Sequence, residues 1–179
     1  MKRIELIWNI VHYIVWKVDY KVHLFFNKIN PFMLIHKLPF QKRMYERRAI
    51  NIYEDINQAF KNPKGGLSSI RAGGFMYILS LIAGLAFFCL IQAIHDQVYL
   101  NNAVMILICI PFGILNFFLL FYKNKYLDYF KYFEAMSKEW KMKWKFISLG
   151  IVLSIVLILI LAFNNMDYSL HHFGFLRFK

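Results

Sequence analysis

Three long runs without a charged residue constrain this chain more than any other feature. They cover residues 73–94, 103–122 and 146–166, with 22, 20 and 21 residues respectively. About 20 apolar residues suffice for a helix to cross the ~30 Å hydrocarbon core of a bilayer. Because lipid offers the backbone no hydrogen-bond partners, each crossing segment must be a helix. The sequence therefore predicts an all-α integral membrane protein with three transmembrane helices plus cytoplasmic or interfacial amphipathic helices.

The distribution of charge predicts how these helices are oriented. The chain has 22 Lys and Arg against 10 Asp and Glu, a formal net charge of +12, although 59% of its residues are hydrophobic. Twenty of the basic residues fall in 1–72 and 123–145, and two fall in 167–179. Basic residues near the ends of spans mark the cytoplasmic side. We therefore expect a bacterial cytoplasmic (inner) membrane protein with its N-terminus in the cytoplasm and its C-terminus outside.

The same count divides the rest of the chain between the two sides of the membrane. Residues 1–72 form the larger cytoplasmic and interfacial region, whereas the outer loop 95–102 and the outer tail 167–179 are short. The cytoplasmic loop 123–145 is helical by its pattern. Two arrangements fit this loop: a helical hairpin that turns near Ser137, or a helix that lies on the membrane.

A polar stripe on the first predicted helix comes nearest to a chemical site. Residues 4–26 are largely apolar and predict a helix that lies in the membrane interface. Its large aromatic residues are expected at headgroup depth: Trp8, Trp16, Phe25 and Phe26. Helical spacing puts its polar residues on one face: Glu5, Asn9, His12, Asp19 and His23. We interpret this face as solvated; the alternative is a metal or proton-relay site, which would need ligands from elsewhere.

Two further stripes predict surfaces for a protein partner. Residues 40–60 read as a single helix with an apolar stripe, and the loop 123–145 carries an aromatic stripe at helical spacing. The residues expected to dock a partner are Tyr45, Ile52, Ile56, Phe130, Phe133 and Trp140.

Small residues and a proline predict how the spans pack and bend. Close approach of helices in lipid relies on small residues. Ser80 and Gly84 in the first span, with Gly150 and Ser154 in the third, are expected to face each other within a chain or between chains. In the second span, Pro111 and Gly113 predict a kink, because proline removes a backbone donor and clashes with the preceding turn.

The sequence offers little support for catalysis or transport. The three spans contain no Asp, Glu, Lys, Arg or His, although ion pathways need such groups at membrane depth. Cys89 and Cys109 lie inside the spans and have no zinc-binding spacing. We therefore expect no catalytic residues, no metal, no cofactor and no nucleic-acid partner.

The remaining function class is a non-catalytic membrane component. We expect a docking or structural subunit of a bacterial envelope assembly of the secretion, conjugation or defence type. Its partners would be the lipid bilayer and either other proteins or further copies of the chain. One alternative is an oligomeric pore or small transporter component lined by Asn116. A further alternative is an immunity or accessory protein against a membrane-active toxin.

Overall fold

The computed structural model describes residues 2–31, 35–36, 38–49, 51–94 and 102–172, and within these ranges every regular element is helical. These described ranges contain seven α-helices: α1 (Lys2–Ile29), α2 (Pro39–Arg47), α3 (Ile52–Lys61), α4 (Leu67–Ile94), α5 (Asn102–Asn116), α6 (Lys125–Glu134) and α7 (Lys138–His172). Residues 95–101 of the predicted outer loop (95–102) and residues 173–179 of the predicted outer tail lie outside the described residues. The tail's first residues, up to His172, continue α7.

Three helical segments are long and apolar enough to cross a membrane. They are Leu67–Gln92, Ala103–Glu134 and Lys138–Asn165, which confirms the prediction of three such helices in an all-helical chain. Helix α4 packs against both α5 and α7. The three spans therefore form a bundle with α4 at its centre.

The predicted single helix at 40–60 is two helices in the structure. Helix α2 ends at Arg47, and Ala49 lies in the left-handed region with φ of 50°, which an alanine adopts at a cost. A new helix begins after Asn51, whose side chain accepts a hydrogen bond from the backbone N–H of Glu54 at 3.4 Å. This contact is an N-terminal cap of the kind Asn favours. The apolar periodicity of 40–60 therefore continues across a break between two helices.

The second span loses its α-helical form near its C-terminal end rather than at Pro111. Helix α5 remains α-helical through Pro111 and Gly113. A π-helical turn follows at Phe117–Phe121, and then a 3-10 turn at Tyr122–Asn124. Its residues Lys123 and Asn124 both have positive φ. The backbone therefore breaks beyond the predicted kink and separates the span from α6.

The loop between the second and third spans contains a turn near Ser137. Helix α6 ends at Glu134 and α7 begins at Lys138. The hydroxyl of Ser137 accepts a hydrogen bond from the backbone N–H of Trp140 at 3.2 Å, which caps α7. The turn lies where the predicted hairpin places it, and the position of this segment relative to the membrane stays a prediction.

The small residues of the first and third spans do not meet within the chain. A Cβ atom at Gly84 would lie 3.1 Å from the Phe112 ring and 3.3 Å from the Cα of Cys109, so Gly84 lets α4 approach α5 instead of α7. Gly150 has open space around it, and Ser154 is exposed. Ser80 is buried, and its hydroxyl donates to the carbonyl of Met76. An intrachain contact between the two pairs is therefore excluded, and a contact between chains remains a prediction.

Helix α1 joins the bundle as a fourth packed helix. Its residue Val11 is buried against Met76 of the first span and Leu120 of the second. A larger cluster joins residues of α1, such as Tyr13 and Trp16, to the aromatic side chains of α6. The interior of the molecule thus lies where α1 meets the ends of the spans.

Candidate functional site

The polar stripe of α1 faces the interior of the protein. Asn9 and His12 are each 0% exposed, whereas Ile4 and Phe25 on other faces of the same helix are more than 60% exposed. The interpretation of this stripe as a solvated face is therefore wrong for Asn9 and His12. A helix set beside membrane spans gains by turning apolar side chains outward and polar ones toward protein partners. We refer to the contact between α1, α6 and the end of α5 as the α1 seam.

Ion pairs and hydrogen bonds join the two sides of the α1 seam. Lys125 pairs with Glu5 at 3.2 Å. The hydroxyl of Tyr13 donates to Glu134 at 3.0 Å, and Lys17 forms an ion pair with the same carboxylate. Since the Lys17 and Glu134 side chains are 28% and 45% exposed, this pair stabilises the fold only weakly. The contacts set the register of α1 against α6.

The C-terminal half of α1 is joined to the start of the first span. Arg71 of α4 pairs with Asp19 at 3.0 Å, and the guanidinium of Arg71 also lies over the Phe60 ring of α3. The His23 ring stacks on the same Phe60 ring, and the two ring centroids lie 3.4 Å apart. Burial lowers the pKa of His23 from its usual value, and the Arg71 charge acts in the same direction. Of the stripe residues, Glu5 and Asp19 thus form ion pairs, and His23 stacks on an aromatic ring.

His12 lies at the centre of the α1 seam in an aromatic environment. Its ring lies 5.9 Å from Phe121, 5.5 Å from Tyr126 and 5.0 Å from Phe130, measured between centroids. Neither ring nitrogen has a hydrogen-bond partner among the described residues. Removal from water disfavours the imidazolium form and lowers the pKa of His12 to about 4. The side chain is therefore neutral at physiological pH.

Asn9 compensates for the broken end of the second span. The last carbonyls of a helix lack partners in the helix itself, and the backbone turns away at Lys123 and Asn124. The side-chain amide of Asn9 donates to the carbonyl of Leu119 at 3.0 Å. A neighbouring bond runs from the indole of Trp8 to the side-chain oxygen of Asn116 at 2.8 Å. The α1 seam thus supplies hydrogen bonds to the irregular end of the second span.

That Trp8 contact also bears on the pore alternative. Asn116 was the polar residue expected to line an oligomeric pore, and it is 1% exposed. Trp8 covers Asn116 and donates a hydrogen bond to it. Asn116 therefore lies inside the chain and not at its outer surface, where a pore between several chains would form.

The described contacts of the α1 seam are those of packed helices. General base catalysis requires a base within hydrogen-bond reach of the group it activates, and the ring nitrogens of His12 have no hydrogen-bond partner among the described residues. Among the described residues, no group of three His, Cys, Asp or Glu could hold a metal ion. The described part of the chain thus offers the stripe no further metal ligands.

The structure corrects the predicted docking surface at Phe130 and Phe133, whereas Trp140 is half-buried. Phe130 and Phe133 are 2% and 0% exposed. Phe130 stacks on Trp16, and Trp140 stacks on Phe133. The aromatic stripe of 123–145 is therefore covered by α1 of the same chain. The sequence contains a signal for this pairing. Charged residues beside the aromatic stripe are opposite in sign to charged residues of α1, as in the ion pairs Lys125–Glu5 and Glu134–Lys17.

Three predicted docking residues lie on α2 and α3 and are partly exposed: Tyr45, Ile52 and Ile56. Tyr45 and Ile52 line a groove of about 680 Å³ between α2 and α3. The Tyr45 hydroxyl hydrogen-bonds the Nδ1 atom of His36 at 2.8 Å. Ile56 is half-buried, and neither α2 nor α3 contains a buried residue.

Comparisons of the chain with protein-family models, with curated proteins and with solved structures find no match. The fold itself defines the class: a helical bundle with three helices apolar enough to cross a membrane.

Proposed function

We propose that this protein is a non-catalytic subunit of a bacterial envelope assembly, set in the cytoplasmic membrane, and that it docks a protein partner through α2 and α3. The observation that carries this proposal is the contrast in packing. Polar and aromatic groups of α1 and α6 such as Asn9, Tyr13 and Phe133 are buried within the chain, whereas α2 and α3 contain no buried residue.

Exposed apolar groups in this part of the chain support a docking role. Phe40 is 78% exposed, Leu38 54% and Ile35 46%. Contiguous exposed apolar surface marks interaction sites more often than chance exposure does. The groove that contains Tyr45 and Ile52 adjoins the same region. A partner helix or loop with an apolar face fits this surface.

The proposed orientation places α2 and α3 in the cytoplasm. It follows from the 20 basic residues that precede the first span or lie between the second and third, against two at the C-terminal end. Arg71 and Lys145 are the basic residues nearest the apolar runs of the first and third spans.

A pull-down in mild detergent from the native membrane tests the docking proposal. We expect a partner in fixed ratio, identified by mass spectrometry and by the native mass of the complex. The Ile52→Glu variant should lose this partner, because a charge enters the apolar groove. The matched control is Gln58→Glu on another face of α3. Recovery of the chain alone, or equal loss of the partner in both variants, would contradict the proposal.

Cysteine labelling tests the orientation separately. A membrane-impermeant maleimide should label an Asp96→Cys variant in intact cells. A Lys64→Cys variant should be labelled only after the membrane is permeabilised. The parent chain is the control, since Cys89 and Cys109 both lie within the spans. The opposite labelling pattern would mean that the chain is inverted.

A further inference from the structure

We propose that the groove between α1 and the start of α7 binds an anionic phospholipid of the leaflet on the side of α1. The groove has a volume of about 740 Å³, within the size range of small-molecule sites. This inference rests on membrane insertion and is independent of the docking role of α2 and α3.

Charge in the groove favours an anionic headgroup. Five lysines line it: Lys17, Lys21, Lys138, Lys141 and Lys145. The acidic residue of the lining, Glu134, is already engaged by Lys17 and by Lys141, the latter at 3.6 Å. The other three lysines are exposed and form no ion pair within the described part of the chain. The groove therefore presents a positive rim whose charge is not cancelled.

The floor of the groove favours an acyl chain. Apolar side chains of α1 and α7 lie between the lysines and remain open: Val18 is 40% exposed, Val22 45% and Met142 56%. Phe25 and Phe26 extend this surface and are about 60% exposed. A free phosphate or a nucleotide would leave these groups uncovered, whereas a phospholipid covers the floor and neutralises the rim together.

The position of the groove makes a lipid available to it. Lys145 immediately precedes the uncharged run of the third span. Long lysine side chains at such positions reach the headgroup region while their stems stay in apolar surroundings. Basic pockets between membrane helices on the cytoplasmic side are recognised sites for anionic headgroups. Phe146, the first residue of that run, is 64% exposed, so exposed apolar surface follows directly after Lys145 of the groove lining.

Native mass measurement with lipids of matched chain length tests the proposal. The purified full chain is titrated in neutral detergent with dioctanoyl phosphatidylglycerol, with dioctanoyl phosphatidylcholine and with inorganic phosphate. We expect retention of phosphatidylglycerol, weaker retention of phosphatidylcholine, and no displacement by phosphate. Equal retention of the two lipids would overturn the proposal, and displacement by phosphate would show a phosphate site instead.

Charge-matched variants locate the binding. The groove variant changes Lys21, Lys138 and Lys145 to Gln and leaves the two lysines that bind Glu134 intact. The control variant changes Arg43, Arg47 and Arg48 of the α2 region to Gln, with the same loss of charge. The groove variant should bind phosphatidylglycerol at least about tenfold more weakly, since each basic residue near an anionic lipid contributes to affinity. The control variant should bind it like the parent.

Two outcomes of the variant test would reject the lipid site. Unchanged binding in the groove variant would place the lipid elsewhere. A dimer in the native mass spectrum that the groove variant abolishes would make the groove an interface between chains. A Val22→Asn variant adds a second measure, because it should weaken phosphatidylglycerol binding without changing the charge.

Discussion

The α1 seam and the α2–α3 region are both built from amphipathic helices, but large side chains are buried in the first region and none is buried in the second. In the α1 seam the side chains of Tyr13 and Phe133 are 1% and 0% exposed. In α2 and α3 no residue is buried, and Phe40 is 78% exposed. An amphipathic pattern therefore predicts that a helix has two faces, but not which face the rest of the chain covers.

Proximity to the three spans accounts for the difference. The outward faces of α1 are apolar like those of the spans, and its polar groups lie inside, where Asn9 and Tyr13 have hydrogen-bond partners. Helix α3 contacts the bundle through the stacking of Phe60 with His23 and Arg71. The first region holds α1 in the fold, and the second is the one proposed to bind a partner.

The largest expected effect comes from the same substitution made in each region. Phe133→Ala should lower the free energy of unfolding by about 3 kcal/mol or more, because truncation of a buried Phe leaves a cavity. Phe40→Ala should change it by less than about 0.5 kcal/mol, as expected of an exposed position. Equilibrium unfolding in mixed detergent and SDS measures both variants.

Equal destabilisation by these two variants would remove the contrast between the regions. A loss at Phe40 alone would mean that α2 packs against the bundle more firmly than its exposure indicates. Trp140, which stacks on Phe133, gives a local check, since its fluorescence should respond to Phe133→Ala only.

The next effect concerns the pH dependence of the α1 seam. In the folded chain burial holds the pKa of His12 at about 4, against 6.5 in an unfolded chain. The unfolded state therefore binds the proton more strongly between these values, and stability is lost as the pH falls from 6.5 toward 4. Below pH 4 the total decrease in the free energy of unfolding from this group is about 3 kcal/mol.

The matched variant for this prediction is His12→Phe. It preserves the aromatic packing with Phe130 and removes two ring nitrogens that have no partner among the described residues. The variant should be more stable than the parent at acidic pH and should lose most of the slope between pH 6.5 and 4. A residual slope is expected from His23, whose pKa burial also lowers. An unchanged slope would show that His12 is hydrated in the folded state.

Part of this architecture could be predicted from the sequence. The three spans were predictable because about 20 consecutive uncharged residues admit few structures other than a crossing helix. The hairpin at Ser137 was one of two options that the pattern allowed. The placement of α1 was not predictable in the same way, because periodicity gives the relative positions of Asn9 and His12 but not the partner they face.

The errors have specific physical causes. The break at Ala49 was hidden by an apolar stripe that continues across it, and no proline or glycine marks the site. Phe130 and Phe133 were expected to be exposed because sequence cannot show which helix covers an aromatic stripe. Gly84 was assigned to the wrong neighbour, since small residues indicate close approach without identifying the other helix.

The smallest expected effect tests whether α2 and α3 fold independently of the α1 seam. Ala49 has a φ of 50°, where glycine is favoured over alanine by about 1 kcal/mol. Ala49→Gly should therefore stabilise the connection between α2 and α3. If this region is loosely attached, the gain should appear as roughly fivefold slower tryptic cleavage after Arg47 and Arg48, with no change in the global unfolding midpoint.

Ala59→Gly is expected to destabilise the α2–α3 region, which is the opposite of the effect of Ala49→Gly. Ala59 lies inside α3, where glycine costs about 0.5–1 kcal/mol relative to alanine, so cleavage in the region should become faster. Opposite local effects with an unchanged global midpoint would show that α2 and α3 unfold before the bundle does. A shift of the global midpoint in either variant would mean that the docking region and the α1 seam form a single cooperative unit. In that case the binding of a partner at Ile52 would also stabilise the membrane bundle, because a ligand that binds the folded state stabilises every part that unfolds with its site.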